Sequence, residues 1–84
     1  MFTIKDTILS GDLNNYRDMA IRSLGSGITN LPSGGEWGTL FVLPSMSSQS
    51  CMQMIFRPDA SGGIFMRRWH YVDGWTQWFK ASIA

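Results

Sequence analysis

Residues 62–80 read GGIFMRRWHYVDGWTQWFK and contain three of the four tryptophans and the only histidine of this chain. Two runs rich in aromatic and β-branched residues, 64–72 and 75–81, flank the dipeptide Asp73-Gly74. Such runs on either side of a dipeptide that tolerates positive φ are typical of a β-hairpin. The sequence therefore predicts two antiparallel strands joined by a two-residue turn, in a domain built from strands.

The rest of the chain predicts further strands and almost no helix. Residues 19–24 and 51–57 alternate between polar and apolar positions, and residues 39–43 are apolar on both faces, as expected of a buried central strand. Glycines and a proline within residues 25–38 predict a long loop. Asp12 and the two asparagines that follow it predict a capping turn. The predicted fold class is all-β or β-rich: a small antiparallel meander or sandwich-like knob with one long loop and one short helical turn.

The 84 residues leave room for one domain, which we place at residues 12–84 after a lead-in segment of residues 1–11. A chain of this size buries only about 60–70% of the surface that its unfolded form exposes. We therefore expect the domain to oligomerise or to belong to a larger assembly.

Composition argues against several classes of protein. The net charge is +1 and the only basic run is Arg67-Arg68, so the clustered positive charge of a nucleic-acid-binding protein is missing. The single cysteine, Cys51, excludes an internal disulfide and a zinc cluster, and its place in an apolar strand predicts an inert buried thiol. No apolar run approaches the roughly 20 residues that cross a bilayer, and residues 1–6 lack a signal-peptide pattern. We expect neither membrane insertion nor a secretion signal.

The usual catalytic patterns do not occur. The acidic residues Glu36, Asp59 and Asp73 all fall in predicted turns, which hold catalytic geometry poorly. A nucleophilic triad would need His70, but the chain has no Gly-x-Ser-x-Gly motif. The glycines of residues 34–38 lack the lysine and hydroxyl residue of a phosphate-binding loop. We predict a protein that is not an enzyme, with no catalytic residue, cofactor or metal.

The aromatic side chains remain as candidates for recognition. Trp75 and Trp78 lie on opposite faces of a regular strand, so both cannot point inward, and we place Trp78 in the core. His70 is expected to be an ordinary, partly exposed strand residue. Large aromatics in a small domain commonly form its core, and this alternative stays open. The face of the hairpin that we expect to be left for a ligand or a neighbouring subunit contains Arg67, Trp69 and Tyr71.

Six motifs make the sequence resemble the knob domain of R-type pyocin and bacteriophage tail-fibre proteins. Their order and spacing agree over about residues 12–80, and the most specific pair is Gly-x-x-Met-Arg followed by Trp-x-x-Trp. In chain order they are Asp12-Leu13-Asn14, Asn30-Leu31-Pro32, Gly38-Thr39-Leu40-Phe41-Val42, Gln53, Gly63-Ile64-Phe65-Met66-Arg67 and Gly74-Trp75-Thr76-Gln77-Trp78.

The resemblance implies a compact β-rich knob that forms a homotrimer around a fibre axis, near the receptor-binding end of a virion tail fibre or of an extracellular phage-tail-like particle. It implies no catalysis. Other tail-fibre or baseplate proteins would be its neighbours in that assembly.

Two hypotheses follow from these observations. In the first, the knob binds a bacterial surface polysaccharide or lipopolysaccharide for host recognition, and its ligand-binding residues are Arg67, Trp69, Tyr71 and Trp37. Trimerisation would then strengthen weak individual sites through avidity. In the second, the domain is a structural module that trimerises or caps a tail fibre without direct ligand contact.

Overall fold

The computed structural model describes residues 3–45, 49–57, 59 and 63–81, and these residues form a single β-sheet with one short 3₁₀ helix. This confirms the predicted all-β fold class and the short helical turn. No helix within the described ranges is long and apolar enough to cross a bilayer. The elements are β1 (Asp6–Asp12), the 3₁₀ helix (Leu13–Asn15), β2 (Ala20–Thr29), β3 (Thr39–Ser45), β4 (Ser50–Arg57), β5 (Gly63–His70), β6 (Gly74–Trp75) and β7 (Phe79–Ala81).

The strands follow one another across the sheet in the order β1-β2-β3-β4-β5-β6, and β7 also pairs with β5. All pairs from β2 onward are antiparallel, as predicted. The first pair is the exception, because β1 runs parallel to β2. Most of the segment predicted as a lead-in therefore belongs to the sheet. Its sequence gives little sign of this, since Ile8 is the only fully buried side chain that β1 contributes.

The predicted loop at residues 25–38 is shorter than expected, because β2 continues to Thr29. The glycines in this segment allow β1 to approach closely. A Cβ atom at Gly25 would lie 3.3 Å from the carbonyl oxygen of Ile8, and one at Gly27 would lie 3.1 Å from that of Leu9. These glycines are sites of close packing between two strands, which the sequence pattern alone does not distinguish from loop residues.

The hairpin of residues 63–81 exists but differs from the prediction in two ways. Trp69 pairs with Trp75 and His70 pairs with Gly74, so three residues rather than two form the turn. Gly74 has a φ of 74°, which lies in the left-handed region. Three-residue hairpin loops commonly have a residue with this conformation beside the strand. The second strand is also interrupted, since residues 76–78 separate β6 from β7.

The core lies on one face of the curled sheet and is closed by Leu13 of the 3₁₀ helix. As the alternation of β4 predicts, Met52, Met54 and Phe56 lie on the face opposite Gln53 and Ile55. Cys51 is buried, as predicted, and burial raises the pKa of its thiol above the usual value. The apolar side chains of the core are Ile8, Leu13, Leu24, Ile28, Leu40, Val42, Cys51, Ile55 and Phe65.

The long loop, residues 30–38, is fixed by Arg57 at the end of β4. Its Nη1 donates hydrogen bonds to the carbonyl oxygens of Gly34, at 3.1 Å, and Glu36, at 3.0 Å. Its Nε donates to Asp59 Oδ2 at 2.9 Å. Trp37 lies in this loop. The hydrogen bonds from Arg57 therefore hold it near the end of β4.

Candidate functional site

A buried glutamine lies at the centre of the domain. Gln53 has no exposed surface, and its Nε2 donates hydrogen bonds of 2.8 Å to the carbonyl oxygens of Leu13 and Tyr16. Its Oε1 accepts a hydrogen bond of 2.9 Å from Nε of Arg67. One side chain on β4 therefore joins the 3₁₀ helix to β5.

The guanidinium of Arg67 lies between two tryptophans. Its central carbon is 3.9 Å from the ring centroid of Trp75 and 4.6 Å from that of Trp78. Burial lowers the pKa of Arg67 to about 10. The interruption between β6 and β7 allows both tryptophans to reach the same cation, which a regular strand would not permit. Trp78 packs against the core, as predicted.

Hydrogen bonds connect Trp78 with the first of the resemblance motifs, Asp12-Leu13-Asn14. Trp78 Nε1 donates to the carbonyl oxygen of Asn30 at 3.0 Å, and Asn30 Nδ2 donates to Asp12 Oδ1 at 2.7 Å. Asp12 Oδ1 also accepts from the backbone amide of Asn14 at 2.9 Å, which confirms the predicted capping turn. These two hydrogen bonds, the one from Asn30 foremost, lower the pKa of Asp12. We call these connected residues the Arg67 network: Asp12, Asn14, Asn30, Gln53, Arg67, Trp75 and Trp78.

The position of Arg67 corrects one prediction. We expected it on a free face of the hairpin, but the side chain is only 7% exposed. Arg67 shares its face of β5 with Phe65, and that face is the core face. The alternation was therefore predicted correctly, whereas the exposure of Arg67 was not. Arg67 is not placed to contact a ligand at the surface.

The two aromatic residues at the other end of the same face are more accessible. Trp69 is partly buried; the guanidinium carbon of Arg17 lies 4.3 Å from its ring centroid, and Trp75 lies 6.5 Å away. Tyr71 is 60% exposed, and its ring centroid lies 4.8 Å from that of His70. Arg17 was absent from the predicted site, because the pattern of its own segment gives no sign that it reaches β5.

The fourth predicted residue, Trp37, is 66% exposed but lies far from Tyr71. Trp37 belongs to the loop held by Arg57 at one end of β4, whereas the amide of Tyr71 donates to the carbonyl oxygen of Gln49, next to the other end. The length of β4 separates the two by roughly 24 Å. The four predicted residues therefore do not form one site.

A cleft of about 430 Å³ lies at the Tyr71 end of the sheet. This volume is within the range of about 300–1,000 Å³ that is usual for small-ligand sites. The lining residues supply an imidazole, an exposed guanidinium and two serine hydroxyls, the Trp69 side chain belongs to the opposite face of β5, and Tyr71 lies beside the cleft in contact with His70. We call it the Trp69 cleft, and its lining residues are Leu43, Pro44, Ser45, Ser50, Cys51, Met52, Arg68, Trp69 and His70.

His70 lies at the mouth of the hairpin turn, where its Nδ1 accepts a hydrogen bond of 3.3 Å from the backbone amide of Val72. It is partly exposed, as predicted. Within the described ranges, no group of three or more His, Cys, Asp or Glu side chains could hold a metal ion. The polar lining residues of the Trp69 cleft, Ser45, Ser50, Arg68 and His70, can form hydrogen bonds and pair with anionic groups.

Comparison of the chain with protein-family models, with curated proteins and with solved structures finds no match. The resemblance to tail-fibre knob domains therefore rests on the motif residues alone and stays a prediction. The Arg67 network gives these motifs a physical role, because residues from five of the six motifs are members of it.

Proposed function

We propose that this chain is a non-catalytic knob domain of a phage tail fibre, or of a phage-tail-like bacteriocin, that binds a glycan on the bacterial surface. The observation that carries the proposal is the convergence of the resemblance motifs in the Arg67 network. Motif residues as far apart as Asp12 and Trp78 belong to one chain of contacts.

The Trp69 cleft is the proposed glycan site. The ring of Tyr71, which is 60% exposed beside the cleft, offers a flat apolar surface on which the apolar face of a sugar ring can pack. The exposed Arg68 can pair with the phosphate or carboxylate groups of a lipopolysaccharide, and Ser50 can hydrogen-bond sugar hydroxyls. Of the four predicted contact residues, Trp69 is among the lining residues and Tyr71 lies beside the cleft, whereas Arg67 contacts Trp75 in the interior.

The expected setting is the virion tail, or the fibre of a phage-tail-like particle, with other fibre or baseplate proteins as neighbours. A homotrimer would present three copies of the cleft to the same cell surface. Multivalent attachment multiplies weak affinities when the linkage lets all the sites bind at once.

A purely structural role is the second candidate, because the sheet carries an exposed apolar face opposite its core. Leu43, Met52 and Phe56 on this face are each at least 37% exposed. A module that only trimerises or caps a fibre would use such a face, and because Leu43 and Met52 also line the Trp69 cleft, the contact would cover one side of that cleft.

Binding to an array of bacterial surface polysaccharides and lipopolysaccharides tests the proposal. We expect the wild-type chain to bind a subset of the array, and Tyr71→Ala to lower that affinity by about tenfold, the effect of one well-placed aromatic contact. Trp37→Ala is the matched control, because this exposed aromatic lies at the other end of the sheet, and it should bind as wild type. Failure of the wild-type chain to bind any glycan would favour the structural role. If Trp37→Ala lost glycan binding and Tyr71→Ala did not, the glycan site would be assigned to the long loop instead.

A further inference from the structure

The face of the sheet opposite the core is apolar across five strands. The strand registers align five side chains in one row across β2, β3, β4, β5 and β7. In that order they are Ile21, Phe41, Met54, Met66 and Phe79. We call this surface the outer face. The outer face also includes the two neighbouring rows of side chains, one of which contains Met52 and the other Phe56.

Charge is nearly absent from the outer face. The row on one side consists of Leu43, Met52 and Arg68, and the row on the other side runs from Thr39 through Phe56 and Ile64 to Ala81. Arg68 is the only lysine, arginine, aspartate or glutamate in the three rows. Two identical faces of this kind can meet without the like-charge contacts that suppress association.

In area, the outer face is a large apolar patch that approaches the smallest specific interfaces. Five strands about 4.8 Å apart and three rows about 6.8 Å apart cover roughly 400 Å² in projection. The relief of the phenylalanine and methionine side chains makes the accessible area larger, and the smallest stable interfaces bury about 600 Å² on each partner. The largest apolar patch of an ordinary monomer is about 300–600 Å².

One margin of the outer face carries an exposed aromatic ring, and the opposite margin carries an apolar cleft. Phe79, on β7, is 63% exposed. At the opposite margin, beside β2, a cleft of about 360 Å³ has an almost entirely apolar lining that includes Met19, Ile21 and Phe41. We call it the Phe41 cleft. The strands β4 and β5 separate Phe79 from this cleft within one chain, so the two can meet only between chains.

We propose that the outer face binds a second copy of this chain, with Phe79 of one copy seated in the Phe41 cleft of the next. The reason for choosing a second copy is that one chain carries both the protruding aromatic and the apolar cleft that accepts it. Methionines at the centre of the face can adjust to the facing surface, because their side chains are unbranched and flexible. The inference identifies the surface through which the subunits of a multimeric knob associate. It rests on the proposed function only for the statement that the chain is a knob.

Solution mass tests the interface. We expect the wild-type chain to sediment as a multiple of its 9.5 kDa monomer, and Phe79→Glu to sediment as a monomer with an unchanged circular dichroism spectrum. Leu9→Glu is the matched control, because Leu9 on β1 is 70% exposed and lies outside the outer face. It should keep the wild-type mass. A monomeric wild-type chain, or an assembly that persists in Phe79→Glu, would overturn the proposal.

Disulfide trapping tests the pairing directly. With Leu43→Cys and Phe79→Cys in the same chain and diamide as oxidant, covalent multimers should form, whereas either substitution alone should give few. The native Cys51 is only 4% exposed and should not compete. The pairing would be contradicted if Leu9→Cys combined with Phe79→Cys formed as many covalent multimers as Leu43→Cys combined with Phe79→Cys.

The two proposals fail in different ways. Leu43, Met52 and Arg68 belong to both the outer face and the Trp69 cleft, so glycan binding is measured on the monomeric Phe79→Glu variant as well. A wild-type assembly and a Phe79→Glu monomer that both bind no glycan would reject the glycan site and leave the interface standing. A monomer that binds glycan would reject the interface and leave the glycan site standing.

Discussion

Nε of Arg67 donates a hydrogen bond of 2.9 Å to Oε1 of Gln53 in the interior of the domain, where neither residue is more than 7% exposed. A buried cation is costly unless hydrogen bonds and polarisable neighbours offset the loss of water. Gln53 supplies the hydrogen bond, and the rings of Trp75 and Trp78 supply the favourable field of their π faces. The core of this small protein is therefore organised around a polar centre.

Gln53→Met is expected to destabilise the domain by about 2–4 kcal/mol, because buried polar groups that lose their partner retain their full desolvation cost. Methionine has a similar shape but cannot bond to Arg67 or to the carbonyl oxygens of Leu13 and Tyr16. Urea unfolding followed by tryptophan fluorescence measures the change. Gln77→Met, on an exposed residue, is the matched control and should change stability by less than about 0.5 kcal/mol. Equal stability of the two variants would show that the hydrogen bonds of Gln53 contribute nothing.

The carboxylate of Asp12 should make stability depend on pH. Hydrogen bonds from Asn30 and from the amide of Asn14 lower the pKa of Asp12 in the folded state. The unfolded chain then binds the proton more tightly, so the contribution of Asp12 is complete above a pH of about 4 and is lost as the pH falls through the folded pKa. Asp12→Asn keeps the shape and cannot titrate. Its stability should fall less than that of wild type between pH 5 and pH 2.

For comparison, Gln77→Met changes an exposed residue that carries no titratable group and should retain the wild-type acid dependence. Thermal unfolding at several pH values, at constant ionic strength, measures all three proteins. Identical acid profiles for wild type and Asp12→Asn would exclude the hydrogen-bonded carboxylate as a source of the pH dependence.

The sequence was sufficient for the fold class and for β3, β4 and β5, because alternation and turn residues determine both locally. It was insufficient for β1 and for the end of β2. Glycines at positions 25 and 27 look like loop residues in any local window. They permit close approach of β1, and that contact is visible only after the chain has folded.

The candidate site was only partly predictable for a related reason. Period-two alternation correctly put Arg67 on the same face as Phe65, but it cannot say which face is buried. An arginine is an unusual core residue, and its burial depends on Gln53 from a different strand and on both members of the Trp-x-x-Trp motif. Trp37 and Tyr71 looked equivalent as exposed aromatics, and only the strand registers show that opposite ends of the sheet hold them.

The thiol of Cys51 should react slowly in the folded protein. Burial raises its pKa, which lowers the fraction of reactive thiolate, and the side chain is nearly inaccessible. We expect Ellman's reagent at pH 8 to modify the folded chain at least roughly 100-fold more slowly than the chain in urea, because reaction requires local opening. A Ser50→Cys variant, at the partly exposed neighbouring position, provides the fast control. Equal rates for the folded and unfolded wild-type chain would contradict the buried position.

Gly38→Ala should destabilise the domain by about 1–3 kcal/mol through overpacking. A Cβ atom at this position would lie 2.7 Å from Cγ2 of Ile55 and 3.1 Å from the carbonyl oxygen of Phe56. Ile55 is fully buried, so it has little room to move. In an Ile55→Ala background the first overlap is removed and the second remains, and the cost of Gly38→Ala should therefore fall without disappearing. A double-mutant cycle by urea unfolding measures this coupling, and strict additivity of the two substitutions would contradict the contact.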